Sequence, residues 1–192
     1  MMKKLLIFTL SVIMLMGLCS CRELDHARAR EIAVPLIEES QKLDIILYGE
    51  GLSSDEEKKE GKYSLVVSEQ YKSLDDIKVA LDRVYTPELS EITRNAILKG
   101  SSTEHGTNYA RYISIDGALY QYDGAKAYFK HARKYDLDSI RATDMTDRRI
   151  IIKVDTYTAD KDGNYSDKAE SIKLKFIYDD AYGDWRLDTP TY

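Results

Sequence analysis

Cysteine is almost missing from this chain of 192 residues: it occurs twice, at Cys19 and Cys21, and nowhere afterwards. Both lie where an apolar run gives way to charge, in the stretch LMGLCSCRELD. Lys3 and Lys4 precede residues 5–18, which contain no charged residue. That run matches the apolar core of a signal peptide and is shorter than the roughly 20 residues a membrane span needs. The two lysines mark the end that stays on the cytoplasmic side. A bacterial lipoprotein signal places an aliphatic residue three positions before the modified cysteine and a small residue just before it. Leu18 and Ser20 meet both demands for Cys21, whereas Cys19 follows the bulky Leu18. The expectation is cleavage after Ser20 and lipid on Cys21, against an ordinary secretory signal or an uncleaved anchor. An acylated cysteine of this kind holds stably, because each buried methylene contributes about 0.8 kcal/mol.

Such processing leaves 172 residues and takes 28 cations to 26 against 33 acids, a net charge of −7. The remaining cysteine carries the lipid, which excludes a disulfide, a cysteine nucleophile and a thiolate metal site. A chain of this length with 43% apolar residues suffices for one domain with one core. The acidic balance argues against nucleic acid as a partner class. It permits a basic protein partner or cations.

Histidine is scarce too. His26 sits next to the anchor and is expected to be flexible, His105 lies in a Ser/Thr/Gly loop, and His131 is flanked by Lys130 and Arg133. No two stand at the spacing of a helical metal pair, and no nucleophile elbow, phosphate loop, dinucleotide fingerprint or zinc-protease motif occurs. Asp75/Asp76 and Asp179/Asp180 are carboxylate pairs of the sort an acidic chain supplies by chance. Acid–base work needs carboxylates that converge in a cleft. Asp160, Asp162 and Asn164 alternate like early calcium ligands, but glycine comes at the fourth position and Ser171 stands where a bidentate Glu belongs. A hairpin turn with solvated acids is expected there. The chain is read as non-enzymatic, with no cofactor and no metal.

What is abundant is tyrosine: 15 residues against three Phe and one Trp. Tyrosine joins an apolar face to a polar tip and suits half-wet recognition surfaces. Tyr112, Tyr120, Tyr122, Tyr157 and Tyr178 alternate along strand-like segments. The first four are the candidate contact residues for a ligand or partner; the alternative is that they merely cover the rim of a sheet.

Apolar spacing predicts a helix over residues 25–47, with Asp25 as N-cap, Ile32, Leu36, Ser40, Leu43 and Leu47 inward, and a kink or break near Val34 caused by Pro35. Residues 51–61 read as a charged loop and residues 63–68 as a strand. Ser73 with Asp76 forms a capping-box pattern before a helix over residues 74–85. Thr86 and Pro87 restart the helix as cap and first residue, with Leu89, Ile92 and Ile97 inward as far as Gly100. Residues 101–108 read as a loop. A hairpin turning at Asp116-Gly117 follows. Residues 125–138 are ambiguous between helix and loop. Four strands then close the chain, with Ile150, Ile152, Val154 and Thr156 sharing one face and Ile172, Leu174, Phe176 and Tyr178 another.

Helices first and an antiparallel sheet after them is an α+β layout. The order of elements resembles the cone of the nuclear-transport-factor-2-like superfamily, in which a curved antiparallel sheet wraps N-terminal helices; a cystatin-like sheet is the alternative. The expected organisation is a signal peptide over residues 1–20, an anchor and short linker over 21–27, and one domain over 28–192.

Tyr63, the SLDDIK helix start at Ser73, Val84-Tyr85-Thr86 and the hairpin Asp116-Gly117-Ala118-Leu119-Tyr120 together resemble the secreted inhibitors of bacterial DL-endopeptidases. That resemblance implies a protein that occludes the cleft of cysteine peptidases cutting peptidoglycan stem peptides. Its partner would be a cell-wall peptidase or a wall fragment, and it would act at the outer face of the cell membrane. A lipid-anchored protein binding a small ligand in the cup of the sheet is the alternative function.

Overall fold

The computed structural model describes residues 25–59, 62–103, 106–124, 133–160 and 163–191. The expected lipid site, Cys21, and His105 and His131 lie outside them. The first helix, α1, runs over His26–Tyr48. Asp25 Oδ1 accepts the Arg28 backbone N–H at 2.9 Å and starts it. Ala29, Ala33, Ile37, Ser40, Asp44 and Leu47 form its buried stripe. Pro35 does not break the helix. It sits on the exposed side, one turn after the exposed Glu31, whose freed carbonyl is left on the solvent face. Gly49 ends α1, its N–H shared between the carbonyls of Asp44 and Ile45.

Residues expected to form a charged loop are instead a strand, β1 (Ser54–Lys59), antiparallel to β2 (Tyr63–Val66). β1 is the edge of its sheet, where charge is tolerated and no apolar alternation is required. The capping box forms as expected: Ser73 Oγ accepts the Asp76 N–H, and Asp76 Oδ2 accepts the N–H groups of Ser73 and Lys72. It opens α2 (Leu74–Val84), which buries Ile77, Leu81 and Val84. Ser73→Ala is expected to cost about 1 kcal/mol in urea unfolding; an unchanged midpoint would show that the box contributes nothing.

Helix α3 (Pro87–Leu98) does begin with proline, but Thr86 does not cap it through its side chain. Thr86 Oγ1 donates to Asp188 Oδ1 at 2.8 Å, and its N–H donates to Leu187 O. The elbow between α2 and α3 is thereby tied to the C-terminal segment. The inward face of α3 also differs from the expectation. Ile92 is exposed, whereas Ser90, Thr93 and Ile97 are buried. Ser90 and Thr93 can be buried because their hydroxyls reach Asp82 Oδ1 and Leu89 O.

The expected loop over residues 101–108 contains a small ribbon, β3 (Ser101–Thr103) with β4 (Gly106–Asn108). The hairpin of β5 (Tyr112–Ile115) and β6 (Ala118–Tyr122) turns at Asp116 and Gly117, both at positive φ (52° and 83°), as a two-residue type I′ turn demands. The last strands are β7 (Arg133–Met145), β8 (Arg149–Thr158), β9 (Glu170–Asp179) and β10 (Asp184–Leu187). Among the described residues the chain is thus α+β with three helices and two four-stranded antiparallel sheets, ordered β1-β2-β6-β5 and β10-β9-β8-β7. α1 packs against β7 and β10. One core joins α1, α2, both sheets and Ile97 of α3, with Ile150, Ile152, Val154, Leu174, Phe176 and Leu187 wholly buried from the second sheet.

His26, expected to be flexible beside the anchor, is the first residue of α1. Its Nδ1 accepts the Ala142 N–H at 3.1 Å, where β7 loses register with β8. A long edge strand leaves such N–H groups open, and here the start of α1 covers one.

Candidate functional site

The four candidate tyrosines do not share a surface. Tyr112 is wholly buried and donates its hydroxyl to Ile46 O at 2.7 Å. Burial pushes its phenol up to about 12. It lies among the groups that close the end of α1: Arg111 Nη2 donates to Gly49 O at 2.8 Å, and Gln121 bonds both backbone groups of Leu52. Gly51, at φ +86°, leaves this space, since a Cβ there would stand 2.4 Å from Arg111 Nη2. A contact role for Tyr112 is therefore overturned by burial. Tyr157 is half-buried on β8 of the other sheet, opposite Lys134.

Tyr120 and Tyr122 point to the face of the first sheet opposite Tyr112, because Tyr112 pairs in register with Gln121. Tyr120 is 5% exposed, flanked by Leu65 on β2 and Ile113 on β5, and serves packing more than contact. Tyr122 is half-buried and belongs to an aromatic group. Its ring is 5.6 Å from Tyr63, its cross-strand partner, and 4.8 Å from Tyr109. The exposed Lys62 places its ammonium 4.1 Å from the Tyr109 ring centre and donates to the Tyr109 hydroxyl. Tyr63 donates to Ala110 O. The group presents tilted rings and a cation over a π face, which suit a polar–aromatic contact. Tyr109 and Lys62 were not singled out from the sequence. They reach Tyr122 through the pairing of β2 with β6, which local spacing does not reveal.

A second constellation is buried between α1 and the chain's end. Asp44 is 5% exposed, and its Oδ2 accepts Thr191 Oγ1 at 2.8 Å. Ser40 Oγ bonds Thr191 Oγ1 and, at 2.8 Å, the Tyr85 hydroxyl. Tyr135 donates to Thr191 O. Asp44 Oδ1 has no hydrogen-bond partner. Burial raises the Asp44 carboxyl to about 7, against the opposing hydroxyls of Thr191 and Tyr85. Burial, and next the Asp44 charge, push the Tyr135 phenol upward. The one sequence signal was Ser40, a polar residue at an apolar position of the helical stripe. Ile37, Leu47 and Leu187, all at most 3% exposed, belong to the same core, and the hydrogen bonds make the cluster a proton-sensitive clasp on the C-terminal segment.

The turn at Asp160 is formed as a turn: its carboxylate accepts the Asn164 N–H and its carbonyl the Gly163 N–H. Asp162 lies outside the described residues. Among the described residues no three His, Cys, Asp or Glu side chains gather as metal ligands. No family model matches the chain, and no curated protein matches it.

Proposed function

We propose that this chain is a non-enzymatic surface lipoprotein, lipid-anchored at Cys21 outside the cytoplasm, that binds and inhibits a cell-wall DL-endopeptidase through the Tyr63–Tyr109–Tyr122 face of its first sheet. The observation that carries this reading is the half-buried pair Tyr109 and Tyr122, backed by the buried Tyr63 ring and with Lys62 over Tyr109. Rigid aromatic side chains give large contact area at low entropic cost. The α+β layout, with α1 packed on β7 and β10, is compatible with a nuclear-transport-factor-2-like cone. The space beside α1 is filled by Ile37, Leu43, Ile152, Leu174 and Phe176, which weighs against the small-ligand cup.

The test is inhibition of purified peptidoglycan DL-endopeptidases by the acylated protein. Inhibition at micromolar concentration is expected, with Tyr109→Ala and Tyr122→Ala each weakening it about tenfold or more while the melting temperature moves little. That loss is the usual size for an aromatic anchor at an interface. No inhibition at micromolar concentration would count against the target. A variant that lost inhibition only in proportion to lost stability would count against the face.

A further inference from the structure

The opposite face of the second sheet carries a charge arrangement that its own stability does not explain. β7, β8 and β9 set Arg141, Lys153 and Lys173 side by side, Arg141 in register with Lys153 and Lys153 with Lys173. The neighbours Ile150, Ile152 and Val154 are buried, so this row points away from the core. All three cations are exposed. Like charges directly opposite each other destabilise a sheet, and this chain has five more acids than cations. Arg141 approaches Asp155 at 3.5 Å. Lys153 and Lys173 form no ion pair among the described residues. The row on one side holds Asp136, Asp155 and Ser171, and the row on the other holds Asp144, Ile151 and Lys175. Asp144 is already held by Arg149, and Lys175 by Asp188. On this face Lys153 and Lys173 are thus cations without an ion pair, beside Arg141, which is paired, and Asp136, a carboxylate with no cation partner among the described residues; the positive stripe spans about 10 Å across three strands.

A groove of about 500 Å³ borders the stripe, lined by His26, Arg141, Thr143, Lys153 and Ser171. His26 is the point where α1 meets β7. It is five residues from Cys21, a span that reaches about 18 Å at full extension. A lipid on Cys21 would bring this groove and its cations to the bilayer surface, where anionic headgroups attract Lys and Arg within a Debye length of about 8 Å.

We propose that the Arg141–Lys153–Lys173 stripe docks the domain on the anionic phospholipid headgroups of the membrane that holds its lipid, so that the β7–β9 face lies down and the tyrosine face of the other sheet remains free. This rests on the anchor proposed above. It adds an electrostatic membrane contact to an anchor that already holds stably, and so fixes which face of the domain lies on the bilayer.

The experiment uses the full native acylated protein inserted into preformed vesicles of phosphatidylcholine alone or with one-third phosphatidylglycerol. Amine acetylation is followed lysine by lysine by mass spectrometry, which also reads the lipid mass on Cys21. Lys153 and Lys173 are expected to react about fivefold more slowly on the phosphatidylglycerol vesicles, Lys99 after α3 to react equally on both, and the protection to vanish in 1 M salt. Equal rates for Lys153 and Lys173 on both vesicles, with lipid present on Cys21, would overturn the docking and leave the anchor standing. Protection by a soluble glycerol-phosphate polymer but not by vesicles would assign the stripe to that polymer and overturn the membrane as its partner. Absence of lipid on Cys21 would remove the anchor and the docking with it.

Discussion

Asp44→Asn is expected to remove a contribution to stability that the native protein loses as pH rises from 4 to 7. The carboxyl is raised by burial from 3.8 to about 7. Between those values the folded chain keeps a proton that the unfolded chain has released. Stability contributed by the protonated form is therefore complete below about pH 4 and is lost as pH rises through 7, by up to about 4 kcal/mol. The cause is geometric: Thr191 satisfies Oδ2, and nothing satisfies Oδ1. Asparagine keeps an oxygen for Thr191 and never ionises. Its amide N–H groups add an unpartnered donor worth about 1–3 kcal/mol, so the variant should be about 1–3 kcal/mol more stable than the native chain at pH 8 and close to it or weaker at pH 4. Urea unfolding of both proteins across this range measures the difference, which cancels the titration of every other carboxylate. A variant as pH-sensitive as the native chain, or less stable at pH 8, would show that Asp44 is ionised and satisfied in the fold.

Phe176→Ala is expected to remove about 3–5 kcal/mol, the range for truncating a buried aromatic. Phe176 is wholly buried on β9 between Ile150 of β8 and Leu187 of β10, which are themselves 0% exposed and leave little freedom for collapse. Against a total of about 5–15 kcal/mol for a domain, that loss should lower the melting temperature by about 10 °C. Calorimetry measures it. A loss below about 1 kcal/mol would mean that the two sheets and α1 are not closed over this side chain. The variant also separates two kinds of effect: Phe176→Ala should weaken the fold and leave the binding of the folded fraction intact, whereas Tyr122→Ala should do the reverse.

Much of the fold was legible because its signals are local. The Asp25 cap, the capping box of Ser73 and Asp76, the Asp116-Gly117 turn and the alternation Ile150, Ile152, Val154 each arise from residues within a few positions of one another. Errors occurred where a neighbour distant in sequence decided the outcome. The charged segment 54–59 becomes a strand because β2 offers it an edge. Ile92 is exposed and Ser90 buried because Asp82 of α2 satisfies the serine hydroxyl. Thr86 turns from its helix to Asp188, about a hundred residues away.

The candidate site divides in the same way. Its tyrosine richness follows from the sequence by itself, as do the α+β class and the acidic balance. Only the tertiary structure separated Tyr112 from Tyr122, since a one-residue difference in register sends neighbouring side chains to opposite faces of a sheet. It alone gathered Tyr63, Tyr109 and Lys62 around Tyr122, enclosed Asp44 beneath Thr191, and aligned Arg141, Lys153 and Lys173. Each of these depends on pairing between segments far apart in the chain, and the free energy of that pairing is set by burial and hydrogen bonding across the whole core.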